Sequence, residues 1–220
     1  IVSGNQLLYL DAGNPASFDG SSTTWYDLSG NGKNATINGT TTYSPSNGGY
    51  LAFDGSTSSA SLPSGVYNAT YTGKTVFVAA NCYGLNLSQY RCMVGNTGTR
   101  NFNFYLFNNG GQICLHFSPG GSAGSVSNAL AYTTGNWATF AVTQDTSNNH
   151  SFYYNGKFVN TVNNGVGSFA QYTSGQSEYV GRADNYWWGP LSVVSVYGRV
   201  LTASEIMRCH QAVRTRYGLA

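Results

Sequence analysis

The sequence predicts an all-β protein: an antiparallel sandwich of two sheets with one short helix near the C-terminal end. Three observations point there. Short aromatic and β-branched runs alternate with Gly, Asn and Ser turns along almost the whole chain of 220 residues. Aromatic residues make up 15 % of the chain, which suits pleated, half-buried surfaces. Strands do not alternate with helices, so a parallel α/β sheet is excluded. The length fits one domain over residues 1–220, of the larger all-β kind, or at most two small ones.

The strands are read in order. Gln6 to Asp11 carries Leu7, Leu8, Tyr9 and Leu10. Gly49 to Phe53 is closed by the Asp54-Gly55 turn. Lys74 to Tyr83 holds the apolar run Val76 to Ala80 and reads as a buried strand. Cys92 to Val94, Phe102 to Phe107 and Gln112 to Phe117 follow, and Trp137 to Gln144 pairs with what comes next. Between Ser151 and Val159, Asn155-Gly156 separates two strand-like runs, a hairpin signal because both turn residues need positive φ. Glu178 to Gly181 and Leu191 to Tyr197 complete the strands. The helix spans about 202–217. Thr202 and Glu205 form a capping box, Ile206, His210, Val213 and Tyr217 share one face, and Gly218 is placed to end it. Arg208, Arg214 and Arg216 lie off that stripe and read as a solvated face.

Composition narrows the function. Charged residues are 8 % of the chain against about 25 % in an average soluble protein. The net charge of +2 is too small to imply nucleic acid or an anionic membrane as a partner. No apolar run is long enough for membrane insertion as a helix. A composition low in charge and rich in Asn, Ser, Thr, Gly and Tyr fits an outer-surface, extracellular protein. The chain begins at Ile1 without a signal peptide, which reads as a processed product or a domain of something longer. Cys82, Cys92, Cys114 and Cys209 permit two disulfides in three connectivities, with Cys82 and Cys92 placed to face each other across a hairpin; buried free thiols are the other reading. Asn34, Asn38, Asn68, Asn86 and Asn149 head glycosylation triplets that matter only in a secretory pathway.

The stretch Trp25 to Ala35 sets the oxygen side chains Asp27, Ser29 and Asn31 at alternate positions before Gly32. That is the order of the first half of a calcium loop. The twelfth position, counted from Asp27, is Asn38 rather than Glu, and no helix pattern flanks it, so an EF-hand is excluded. Two readings remain: a turn held by Asp and Asn side chains, or a bound Ca2+ with Asp27, Ser29 and Asn31 as ligands.

Glycoside hydrolysis needs two carboxylates at a set separation. With two glutamates and six aspartates, no two acids lie at i, i+2 or i, i+4 on a strand. Glu178 and Asp184 are the pair that could meet in space. His116, His150 and His210 stand in three different contexts, an apolar strand, a polar turn and the buried side of the helix. No nucleophile elbow or phosphate loop occurs, so catalysis is the minority reading. Binding has a better candidate in Asp184, Asn185, Tyr186, Trp187 and Trp188. Adjacent tryptophans on a strand point to opposite faces, and an exposed Trp beside Tyr, Asn and Asp suits a sugar. The other reading packs one Trp in the sandwich and one against the helix. Arg100 to Tyr105, with the loop Asn108 to Gly111, is a second candidate.

Taken in order, Leu8 to Ala12, Trp25 to Asn34, Phe53 to Gly55, Trp137 to Val159, Val180 to Arg182, Leu191 to Tyr197 and Leu201 to Ile206 resemble the laminin-G-like, concanavalin-A-like lectin/glucanase superfamily, in the version common in bacterial, phage and large-virus surface proteins. The resemblance covers nearly the whole chain. It implies a concanavalin-A-like jelly roll on an extracellular or virion surface and recognition of a glycan or a surface protein, often with one calcium. Asp27, Ser29 and Asn31 would be the ligands, with Asp11 or Asp54. Where members often carry an acidic pair, this chain reads Leu191 to Val194. A structural role remains beside the lectin role: a homo-oligomer, or a decoration or fibre protein on a virion scaffold.

Overall fold

The computed structural model describes residues 1–67, 73–97, 102–119, 124–163 and 176–219. The strands are β1 (Gln6–Asp11), β2 (Thr24–Trp25), β3 (Ala35–Asn38), β4 (Thr42–Ser44), β5 (Tyr50–Asp54), β6 (Ser59–Leu62), β7 (Lys74–Asn81) and β8 (Tyr90–Asn96). They continue as β9 (Phe102–Asn109), β10 (Gln112–Pro119), β11 (Ser125–Val126), β12 (Trp137–Gln144), β13 (Asn149–Tyr154), β14 (Lys157–Asn163), β15 (Glu178–Val180) and β16 (Trp188–Tyr197). The helix α1 covers Ala203–Val213.

Two eight-stranded antiparallel sheets face each other. The first runs β14-β13-β12-β7-β16-β5-β4, with β1 also paired to β16. The second runs β11-β10-β9-β8-β15-β6-β3-β2. The chain passes repeatedly from one sheet to the other, as the jelly-roll expectation requires. Two crossings matter below: β7 to β8, and β15 to β16.

Between the sheets lies a core that includes Leu10, Trp25, Phe53, Phe104, Phe140 and Trp187. Burying each large apolar side chain of this kind contributes about 1.5–3 kcal/mol. A second cluster lies outside the first sheet, where Ile206, Cys209 and Val213 of α1 cover Phe77, Ala79 and Val193. Strand β7 is therefore buried on both faces, Val76 and Val78 inward and Phe77 and Ala79 under the helix. That is why its sequence is a continuous apolar run rather than an alternating one.

The strongest local readings appear as expected. Asn155 and Gly156 take φ of 48° and 74° in the turn between β13 and β14. The Thr202 hydroxyl accepts from the Glu205 amide while the Glu205 carboxylate accepts from the Thr202 amide. Arg199 adds two bonds to the same carboxylate, at 2.9 and 2.7 Å, holding the Glu205 carboxyl down at about 2.

Other expectations need correction. The α-helix stops at Val213, and residues 214–217 tighten into a 3-10 turn closed by Gly218 at φ 64°. That turn lets Tyr217 stack on Trp137, ring centroids 4.3 Å apart, and donate to Ser192 Oγ at 2.7 Å. Arg208 and Arg214 stay exposed, but Arg216 does not belong to a solvated face. It reaches the buried Asp11 carboxylate instead. The short strands β2, β3, β4, β6 and β11 carried no periodic signal because they are two to four residues long and partly polar.

Candidate functional site

The Asp27 loop is held by its own hydrogen bonds. Asp27 Oδ1 accepts from the amides of Tyr9 and Ser29, both at 2.9 Å, and Oδ2 accepts from the Ser29 hydroxyl at 2.8 Å and the Lys33 amide at 3.0 Å. Asn31 turns its amide nitrogen to the Gln6 carbonyl at 2.7 Å. The loop is thereby clamped onto β1. Asp11 is engaged by Arg216, and Asp54 by the amides of Ser56, Thr57 and Ser58 and the hydroxyls of Thr40 and Thr57. Among the described residues, no three His, Cys, Asp or Glu side chains come together as a metal cluster. A cation at Asp27 would have to displace four donors already in place.

Glu178 and Asp184 stand in different surroundings. Glu178 is buried, and its oxygens accept from the amides of Gly65, Val66 and Tyr67 at 2.8–3.0 Å. Burial pushes its carboxyl up, while those amides and Lys74 pull it down. Burial also brings the Lys74 ammonium down to about 7. Asp184 is exposed in the loop beyond β15. The four cysteines are buried free thiols. Cys82 and Cys92 cannot face each other across a hairpin because β7 and β8 belong to different sheets; Cys82 lies in the main core and Cys92 on the outer side of the second sheet. The histidines are scattered: His150 bonds Ser125 Oγ at 2.7 Å, His210 bonds Thr139 Oγ1 at 2.9 Å, and His116 sits among Tyr90, Tyr105 and Phe107. His150 is buried in β13 rather than lying in a polar turn.

The binding candidates are divided by the structure. Trp187 is 0 % exposed, packs in the core and donates from Nε1 to the Pro190 carbonyl at 3.2 Å, so it cannot touch a ligand. Tyr105 is also buried, against Cys92 and Ala183 with Tyr90 edge-on at 5.4 Å. Strand alternation put Tyr105 of β9 on a covered face, while Trp187 turns into the core just before β16 begins. Arg100 lies outside the described residues. Asp184 and Asn185 are exposed, and half-buried Tyr186 lies under the Arg182 guanidinium at 5.3 Å.

Trp188 is the residue that faces solvent, at 40 % exposure. It starts β16, where the chain has just crossed from the second sheet to the first. Tyr83, 47 % exposed, stands against it with ring centroids 6.2 Å apart and planes at 88°. The Arg91 guanidinium lies over the indole, 5.5 Å from the ring centre, in a cation–π contact. That guanidinium is fixed by the carbonyls of Gly84, Gly55 and Tyr186 at 3.3–3.4 Å. Two glycines make room for the indole. A Cβ on Gly55 would fall 2.8 Å from Trp188 Cβ, and one on Gly84 would fall 2.5 Å from Cζ3. The aromatic corner is therefore seated and oriented by the backbone around it. Sequence reasoning missed Tyr83 and Arg91. The available signal was Gly55 and Gly84, each at a strand end, where a glycine permits close approach of another group.

Two further depressions line the surface. One of about 360 Å³ is lined by Leu130, Tyr154, Phe158 and Val159, and one of about 510 Å³ by Gln6, Leu28, Ser29 and Asn31. Neither presents an exposed tryptophan. Among the described residues, no helix is long and apolar enough to cross a membrane.

Comparison with known proteins agrees with this architecture. Domain 4 of AbnA, an extracellular arabinanase from Geobacillus stearothermophilus solved with arabinotriose, superposes with a TM-score of 0.72 at 17 % identity, over 96 % of this chain and 100 % of that one. The binding domain of Paraclostridial Mosquitocidal Protein 1 gives 0.73 at 13 % identity, over 98 % of this chain and 55 % of that one. A botulinum neurotoxin type C structure, whose cell entry depends on two ganglioside molecules, gives 0.69 at 11 % identity, over 95 % and 51 %. The chain thus spans about half the length of these toxin structures. At such identities the likeness is one of fold. No curated protein sequence matches the chain. The laminin-G-type family model, described as concanavalin A-like lectin/glucanases superfamily, matches residues 54–207, which include Gly55, Tyr83, Arg91, Trp188 and the capping box. The chain belongs to the concanavalin A-like lectin/glucanase superfamily.

Proposed function

We propose that the chain is a non-catalytic glycan-recognition module of an outer-surface or secreted protein, and that it binds sugar at the Trp188–Tyr83 corner. The observation that carries this reading is the exposed indole held on Gly55 and Gly84 with a second exposed ring at right angles to it. A pyranose or furanose ring has an apolar C–H face and a hydroxyl rim. The indole takes the face, and the Tyr83 hydroxyl offers a polar partner beside it. The non-catalytic part rests on Glu178, whose carboxylate organises the chain at residues 65–67 rather than facing solvent. The arabinotriose-bound neighbour, covered over its whole length, is consistent with sugar as the ligand class.

The test is an array of bacterial, plant and animal glycans probed with the chain and with Trp188→Ala. Binding that falls at least about tenfold in the variant, with an unchanged melting temperature, supports the module and its site. Binding indifferent to Trp188 moves the site elsewhere, and hydrolysis of a bound glycan would overturn the non-catalytic reading.

A further inference from the structure

We infer that the sugar seated at Trp188 carries an anionic group, and that Arg91 is the residue that selects it. This rests on the glycan reading above and names its substrate class. A guanidinium has five N–H donors. In Arg91, Nε donates to the Gly84 carbonyl and Nη1 to the carbonyls of Gly55 and Tyr186, which accounts for three. The two donors on Nη2 have no acceptor among the described residues, and the guanidinium lies over the exposed indole. The side chain is held in place, half-buried, with one nitrogen to spare.

Its charge meets the face of the indole but no carboxylate among the described residues. The three acceptors are neutral carbonyls, and no salt bridge involves Arg91 among the described residues. The neighbouring acids are committed elsewhere. Asp54 pairs with Trp188 across β5 and β16, but its carboxylate takes the amides of Ser56, Thr57 and Ser58 and two threonine hydroxyls. Asp184 lies near Cys92 and Tyr105, at the outer side of the second sheet. Cys82 does interact with Arg91, but burial pushes its thiol up to about 11, so it carries no charge at neutral pH. A half-buried cation without a counter-ion gains most from an anionic ligand, because a charge-assisted bond is roughly twice as strong as a neutral one. A neutral sugar leaves the two Nη2 donors to water. Because only one nitrogen is free, the geometry fits a carboxylate or a sulfate oxygen equally, and the probes must separate them.

The experiment prints neutral oligosaccharides beside their carboxylated and sulfated counterparts. Pairs include lactose with sialyllactose and sulfated lactose, and galactose oligomers with galacturonate oligomers. Hits are followed by titration at low and high salt. The expected result is a preference of roughly tenfold or more for the anionic member. Salt should reduce that preference, and it should collapse toward unity in Arg91→Gln while neutral binding persists. A preference for carboxylated or for sulfated members identifies the anion. Because Arg91 ties three segments together, Arg91→Gln is read only if its melting temperature holds. The wild-type anionic-to-neutral ratio and its salt dependence decide without it. Equal binding of neutral and anionic members, lost in Trp188→Ala, overturns the role of Arg91 and leaves the module standing. No binding by any probe overturns both.

Discussion

Arg216 Nη1 meets Asp11 Oδ1 at 2.6 Å, joining the tail of the last helix to the first strand across 205 positions of sequence. The aspartate side chain is 1 % exposed and the arginine 30 %. Tyr9 donates its hydroxyl to the other oxygen at 3.1 Å, and the Gly13 amide donates to Oδ1 at 3.0 Å. The carboxylate is thus surrounded by donors, and the guanidinium is its counter-ion.

Arg216→Ala should therefore destabilise the chain by about 2–3 kcal/mol. Breaking a fully buried pair costs about 3–5 kcal/mol, and the exposure of Arg216 lets water recover part of that. Urea unfolding of the variant checks it. A loss within about 0.5 kcal/mol would mean that Tyr9 and Gly13 suffice for Asp11.

Acid should weaken the fold as the buried histidines take up protons. Burial brings both His150 and His116 from 6.5 down to about 4. Between those values the unfolded chain binds protons that the folded chain does not, so stability is full above about pH 6.5 and falls as pH drops toward 4. For His150, whose Nε2 has no partner, the loss is on the order of 3 kcal/mol. Melting temperatures from pH 7.5 to 4.5 should decline, and less steeply in His150→Gln. A flat profile over that range contradicts the shift.

Glu178→Ala should cost about 3 kcal/mol, because three amides lose their acceptor and Lys74 loses a nearby negative charge. The effect belongs in the melt and not in ligand affinity. A variant of unchanged stability that loses turnover on a glycan would restore the hydrolase reading.

The Asp27 loop should be indifferent to calcium. Asp27→Ala should lower stability by about 2 kcal/mol in calcium and in chelator alike, since four donors lose one carboxylate. A native-state ligand at a hundred times its dissociation constant adds about 2.7 kcal/mol. A calcium-dependent rise of that size, absent in Asp27→Ala, would establish a cation there.

Gly84→Ala is the sharpest test of the aromatic corner. The added methyl would intrude on the indole at 2.5 Å and push Trp188 out of position. Glycan affinity should fall about tenfold or more while the fold persists, because a displaced platform binds poorly even when its residues remain. Unchanged affinity would show that the indole's seat does not matter.

Much of the fold was legible in the sequence where a local rule sufficed. The Asn155-Gly156 turn needs only two residues, the Thr202–Glu205 box needs four, and β7 announces itself by an unbroken apolar run. What was illegible depended on partners distant in the chain. Arg216 was read from its helix alone, where nothing signals Asp11. The rule that neighbouring tryptophans face opposite ways correctly required them to separate, but the exposed one could be identified only once β16 had a sheet and an inside. Tyr83 and Arg91 join Trp188 through two crossings between sheets, and no spacing records those.

The seat of Trp188 also gives the protein an optical handle. Of its four tryptophans, Trp25 and Trp187 are sealed in the core, and Trp137 is stacked on Tyr217. Trp188 faces solvent with a guanidinium over its ring. Its emission should form the red, quencher-accessible part of the spectrum, separable from the rest by dissolved iodide. Occupancy of the corner can then be followed in the unlabelled chain, with light as the only reagent added besides the quencher.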